Sequence, residues 1–122
     1  MEQYSLEDKM RIIQEIVPGK QITLAHIIAN PDKVLYQKLG LDPKVDYTKS
    51  AIGIVTMSPA ETAIIAGDIS LKAAGIEIGF IDRFSGTLII IGTLSDVDAA
   101  LKALTEYCKE VLSFTICNIT RT

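Results

Sequence analysis

The sequence predicts an α+β domain, a single mostly antiparallel sheet with its long helices on one side. Two observations carry this prediction. At 122 residues the chain has the length of one domain. Its apolar residues fall in short runs of strand length and in longer stretches of helical spacing, in the order strand, strand, helix, strand, helix, hairpin, helix, strand. That order suits helices segregated to one face of an antiparallel sheet.

Each element has a local reason. Met1 to Met10 is polar and is read as a flexible tail (residues 1–10), leaving residues 11–122 as the domain. Arg11 to Val17 reads as a strand apolar on both faces, Ile12 and Ile16 on one, Ile13 and Val17 on the other, closed by Pro18-Gly19. Such a strand needs cover on both sides. Gln21 to Ala29 is a second strand. Asn30-Pro31-Asp32 then offers an N-cap, a proline at the first helical position and an early acidic group, opening a short helix that runs to Leu39 and stops at Gly40. Leu41 to Ser50, with Asp42-Pro43 and several charges, is the one long loop. Ala51 to Thr56 is a strand. Ser58-Pro59-Ala60-Glu61 has the form of a capping box, so a helix is expected from Pro59 to Ala74, with an i to i+4 pair between Asp68 and Lys72 and with Gly75 as its C′ residue. Ile76 to Gly92 alternates as a hairpin about Asp82-Arg83-Phe84-Ser85-Gly86. The final helix, from about Ser95 to Leu112, sets Val97, Ala100, Leu101, Leu104, Cys108, Val111 and Leu112 on one stripe, opposite Asp98, Lys102, Thr105, Glu106 and Lys109. Phe114 to Thr120 closes the chain as a last strand.

Composition narrows the function. Hydrophobic residues make up 48% of the chain but aromatic residues only 6%, and the mean hydropathy is +0.32. A lone domain of this size hides only about two thirds of the surface its unfolded chain exposes. The surplus of Ile, Leu, Val and Ala therefore points to an obligate oligomer with flat, close-packed interfaces. A net charge of -3, with Lys and Arg scattered, gives no electrostatic footprint for nucleic acid. The N-terminus has no basic n-region or apolar h-region, and no run approaches the ~20 apolar residues of a membrane span, so a soluble cytoplasmic protein without a membrane partner is expected.

Candidate chemistry is sparse. His26, the only histidine, lies in an apolar strand with no Ser, Cys or carboxylate spaced to orient it, so it reads as a hydrogen-bonded structural imidazole. Glu61, Asp68, Asp82 and Asp96 are dispersed, and each has a structural use. Cys108 and Cys117 fall on a helix stripe and a strand, where a thiol behaves as a small hydrophobe. Gly75, Gly79, Gly86 and Gly92 follow no phosphate-loop spacing. No enzyme activity, cofactor or metal is expected. The turn at Asp82-Arg83-Phe84-Ser85-Gly86 keeps two readings, a solvated charge pair beside a positive-φ turn or a functional rim.

Several runs nevertheless carry a resemblance. Ala51-Ile52-Gly53-Ile54-Val55-Thr56, the helix end Leu71-Lys72-Ala73-Ala74, then Ile78-Gly79-Phe80 and Phe84-Ser85-Gly86 resemble the bacterial microcompartment shell domain, with its Lys-Ala-Ala helix end and Gly-Ser-Gly pore turn. Ile13 to His26 and Ile116 to Thr122 look like the circularly permuted subgroup of ethanolamine-, propanediol- and choline-utilisation compartments. The motifs are individually loose and jointly specific.

The resemblance implies a ferredoxin-like, circularly permuted domain and a non-enzymatic shell subunit. It implies a homo-hexamer tiled beside other microcompartment shell proteins, with encapsulated enzymes of ethanolamine, propanediol or choline breakdown as further partners. The N-terminal strand, Ile12, Ile13, Gln14, Glu15, Ile16 and Val17, is expected to join its symmetry mates in an axial β-barrel that caps the pore. Lys72 falls on the family's edge lysine between hexamers. Asp82, Arg83, Phe84, Ser85 and Gly86 fall on the pore turn, where Phe84 replaces a small residue, so a closed or capped pore is implied. Ser50 stands where some permuted relatives carry a bend-permitting glycine, and a disc without that bend is expected. Head-to-tail contacts that fail to close give open helical filaments, so a screw assembly is the alternative to a flat ring. The competing reading from another class is a small ferredoxin-like metabolite-sensing oligomeric domain, which needs a pocket of convergent polar side chains.

Overall fold

The computed structural model describes residues 19–122. The expected tail at 1–10 and the axial strand at Ile12 to Val17 lie outside the described residues.

Five strands form one sheet in the order β3-β4-β2-β1-β5. They are β1 (Gln21–Ile28), β2 (Ala51–Ser58), β3 (Glu77–Asp82), β4 (Thr87–Gly92) and β5 (Thr120–Arg121), with helices α1 (Lys33–Lys38), α2 (Thr62–Ala73) and α3 (Leu94–Glu110). All pairings are antiparallel except that of β1 with β5. The sequence-predicted α+β class and helix placement hold.

Alternation along the strands sends side chains to two faces. One face, through Ala25, Ile27, Val55, Leu88 and Ile90, builds the main core against α2 and α3, where Ala66, Val97, Leu101 and Leu104 are buried. Each fully buried Leu there contributes roughly 1.5–3 kcal/mol by leaving water. The opposite face, through Ile52 and Ile91, makes a smaller core with Tyr36 of α1 and with Leu41 and Tyr47 of the connecting loop. Thus α1 and the 41–50 loop cover part of the second face, while the long helices take the first. Gly53 lets α3 come close, since a Cβ there would stand 2.9 Å from both Ile90 Cγ1 and Val97 Cγ1.

Several local expectations are corrected. The capping box does not form. β2 continues through Ser58, which pairs with Gln21, so its backbone is committed to the sheet. Successive turn bonds from the amides of Thr62, Ala63 and Ile64 to the carbonyls of Pro59, Ala60 and Glu61 then lead into α2, with Glu61 as N-cap and no side-chain cap bond. The N-cap of α1 is Asp32, whose carboxylate accepts from the Val34 amide, and not Asn30. Gly75 is not a left-handed C′ residue: among the described residues positive φ occurs only at Gly40, Gly86 and Ser113, and Ala74 ends α2 extended.

Thr105 is buried and not on the wet face of α3, because its hydroxyl donates to the Leu101 carbonyl at 2.9 Å and so carries no unmet polarity inward. Val111, assigned to the buried stripe, is exposed just past the helix end. The last strand is only Thr120–Arg121, preceded by a single bridge between Gln21 and Thr115.

Candidate functional site

The hairpin tip is a rigid turn carrying an exposed aromatic. Asp82, the last residue of β3, accepts from the Phe84 amide through Oδ1 at 2.9 Å and from the Ser85 hydroxyl through Oδ2 at 2.8 Å. The Ser85 hydroxyl also lies 3.0 Å from Thr87 Oγ1, and the Gly86 amide donates to the Asp82 carbonyl at 2.9 Å. The Phe84 amide, and after it the Ser85 hydroxyl, hold the Asp82 carboxyl below the usual carboxylate range. Gly86, at φ +75°, closes the turn.

The charge pair of Asp82 with Arg83, one of the two readings of this turn, does not form, because both Asp82 oxygens are used inside the turn. The Arg83 guanidinium instead lies 5.0 Å over the Phe84 ring. Phe84 is 80% exposed, so within one chain the tip presents an aromatic and a cation outward, with the carboxylate folded back behind them.

The tip shares its end of the sheet with the entry to β1. Gly86 accepts from the Met57 amide at 2.9 Å, and the neighbouring Ser58 pairs with Gln21. Gln21, the first residue of β1, therefore lies at the same end of the sheet as the hairpin tip.

Lys72, in the last turn of α2, bonds Asp68 Oδ2 at 2.8 Å, and the two side chains are 75% and 61% exposed. The bond to Asp68 raises the Lys72 pKa. Large apolar side chains also remain exposed: Ile64 and Leu71 two turns apart on α2, Phe80 and Ile81 on β3, and Tyr107 and Val111 at the end of α3. Overall hydropathy signals such a surplus, but its address on α2 and β3 depends on which strand ends up at the sheet edge.

His26 is held as a structural group, with Nδ1 2.6 Å from Thr120 Oγ1 and Nε2 2.9 Å from Thr122 Oγ1, fastening the end of the chain to β1. Ser50 is pinned: its amide donates to the Tyr47 carbonyl at 2.8 Å and its carbonyl accepts from the Tyr36 hydroxyl at 2.7 Å. Both cysteines are free thiols, and burial pushes the Cys108 thiol up. Among the described residues no group of three His, Cys, Asp or Glu is placed to hold a metal ion, and no helix is long and apolar enough to cross a membrane.

The sequence reading missed a cleft of about 550 Å³ between α1 and the 41–50 loop, bordered by Lys33, Tyr36, Asp46 and Tyr47. The two tyrosine rings stack at 5.8 Å. Their spacing in sequence is the only signal that could have suggested it. Several of its polar groups are already engaged: Asp42 on the Lys44 amide and Asp46 on Thr48 within the loop, and the Tyr47 hydroxyl on Glu77 of β3 at 3.1 Å.

Comparison with known proteins gives a consistent result. The family model described as the BMC domain matches residues 51–120. The bacterial microcompartment shell protein PduU of Salmonella typhimurium is 54% identical over 112 residues, covering 92% of this chain and 93% of that protein. The shell protein EutS of Escherichia coli is 50% identical over 114 residues, covering 93% and 98%. Among solved structures, a CutR flat hexamer aligns with a TM-score of 0.79 at 41% identity, covering 100% of this chain and 98% of that one. A CutR screw assembly aligns with a TM-score of 0.76 at 45% identity, covering 86% and 100%.

Proposed function

The chain belongs to the BMC-domain family of bacterial microcompartment shell proteins, and from that premise we propose that it is a structural shell subunit that acts as a cyclic hexamer. The observation that carries this reading is the set of apolar side chains left uncovered on α2, β3 and α3, with Ile64 52% and Leu71 50% exposed. A head-to-tail contact uses different patches on the two partners. Apolar groups on several elements suit such a contact, and the CutR flat hexamer supplies a ring in which similar chains assemble.

In this reading the hairpin tip, Asp82 to Gly86, faces the six-fold axis. Because β1 begins at the same end of the sheet as that tip, a segment preceding Gln21 that gathers on the axis would stand over the same opening. That supports a pore closed by Phe84 and capped by Ile12 to Val17. Lys72 then serves the edge between hexamers, its long stem free to exchange Asp68 for a neighbour's acceptor. The subunit is non-enzymatic, sits in the shell of a cytoplasmic compartment, and meets other shell proteins and the enclosed enzymes. The pinning of Ser50 on both its amide and carbonyl supports an unbent disc.

The metabolite-sensing alternative has no support among the relatives, and the cleft it would use has both its aspartates engaged within their own loop. The test is co-purification. An epitope-tagged full chain, produced in a bacterium that expresses a complete microcompartment, should sediment with intact compartments and stay with the shell after the enzymes are released. Recovery only in the soluble fraction would refute the shell assignment.

A further inference from the structure

The cleft between α1 and the 41–50 loop combines an apolar lining with nearby cations. Tyr36, Leu41, Val45 and Tyr47 line it beside Lys33, and Val45 is 43% exposed. Its carboxylates are committed locally, Asp42 accepting from the Lys44 amide and Asp46 from the Thr48 amide, each at 3.0 Å. Lys33 and Lys49 stand close enough to Asp46 for their charges to act on it, yet among the described residues neither lysine forms an ion pair. Four lysines against three aspartates leave residues 32–50 at +1, whereas the whole chain carries -3.

We propose that this cleft is the docking site of the chain's own N-terminal segment, residues 1–10, with Tyr4 and Leu6 against the tyrosine pair and Val45, and Glu2 and Asp8 toward Lys33 and Lys49. The segment has the matching chemistry. Glu2, Glu7 and Asp8 against Lys9 give its side chains a charge of -2. In an extended chain, residues two apart share a face, which sets Glu2, Tyr4, Leu6 and Asp8 together, two apolar groups flanked by two carboxylates. Exposed ion pairs add little by themselves, so the apolar contacts hold the segment and the charges orient it. The distance can be covered. The cleft lies toward the Ile28 end of β1, because Ile28 pairs with Ile52 at the start of β2 while Gln21 pairs with Ser58 at its end. Eight residues of strand extend about 26 Å and ten extended residues about 33 Å. Attachment to the same chain raises the effective concentration to the order of millimolar, enough for a small contact to be occupied. Cleft and segment belong to one chain, so this docking does not require the six-fold ring.

The experiment is zero-length carbodiimide crosslinking of the full chain, which joins a carboxylate to an amine in contact with it, followed by proteolysis and mass spectrometry. Isotope-labelled and unlabelled chains assembled together in equal amounts separate links within a chain from links between chains. Glu2, Glu7 or Asp8 should link to Lys33 or Lys49 of the same chain at least tenfold more often than to Lys109, which is exposed on α3. The double variant Tyr4→Ser, Leu6→Ser should lower those links at least fivefold, and amide exchange across residues 42–48 should be faster in it than in wild type. Links spread evenly over the lysines, or links and exchange that the double variant leaves unchanged, would overturn the docking. Links between labelled and unlabelled chains would overturn the same-chain contact and give the cleft to a second copy. None of these results bears on the shell assignment, which co-purification tests separately.

Discussion

At Gly86 one methyl group decides whether the hairpin can close. A Cβ built there would lie 2.2 Å from the Met57 carbonyl oxygen, and the residue sits at φ +75°, where a side chain is strained. Gly86→Ala should therefore destabilise the fold by roughly 1–3 kcal/mol, read as a lower urea midpoint. Asp82 makes a second prediction at this scale. Its carboxyl is held below its ordinary value of 3.8 by the Phe84 amide and the Ser85 hydroxyl. The stability it contributes is thus fully present above that value and is lost as the pH falls through the lower folded-state value. Melting temperatures between pH 2 and 6 should show a steeper acid loss for wild type than for Asp82→Asn, and parallel curves would refute the role. Individual residues were legible where chemistry is local. The Ser85-Gly86 turn and the structural role of His26 followed from neighbours in sequence. The failure of an Asp82-Arg83 pair did not, because it depends on which way the turn directs each side chain.

Elements were legible in kind and less so at their ends. The stripe on α3 follows helical spacing, and Leu104 is fully buried within it. Leu104→Ala should cost about 2–5 kcal/mol in chemical denaturation; a loss below 1 kcal/mol would mean that α3 is not packed as described. The capping box failed for a tertiary reason, since pairing of Ser58 with Gln21 carries β2 past the point where a cap was expected. Thr105 failed for a local one, its hydroxyl finding a carbonyl one turn back, an option that polarity alone does not reveal. The Asp68-Lys72 pair was legible from its spacing and is highly exposed, so it adds little to the folded chain. Lys72→Ala should leave the melting temperature and the hexamer nearly unchanged while abolishing extended sheets in electron micrographs. Sheets as large as those of wild type would remove Lys72 from the hexamer edge.

For the whole molecule, composition announced that apolar surface exceeds what one chain can bury, and the fold assigns that surplus to α2, β3 and α3. Sequence could not locate it, because β3 becomes an edge strand only once the order β3-β4-β2-β1-β5 is set. Nor can one chain choose between a closed ring and a screw, for the same head-to-tail patch serves both and only the rotation per subunit differs. Similar chains have been solved as a flat hexamer and as a screw. The reading proposed above is the ring, with Ser50 bonded on both its amide and its carbonyl. The most direct test is native mass spectrometry of the purified full chain at micromolar concentration. The ring predicts one dominant species of six chains, each 13.3 kDa. A monomer, a dimer or an unbroken ladder of sizes without a preferred hexamer would contradict it.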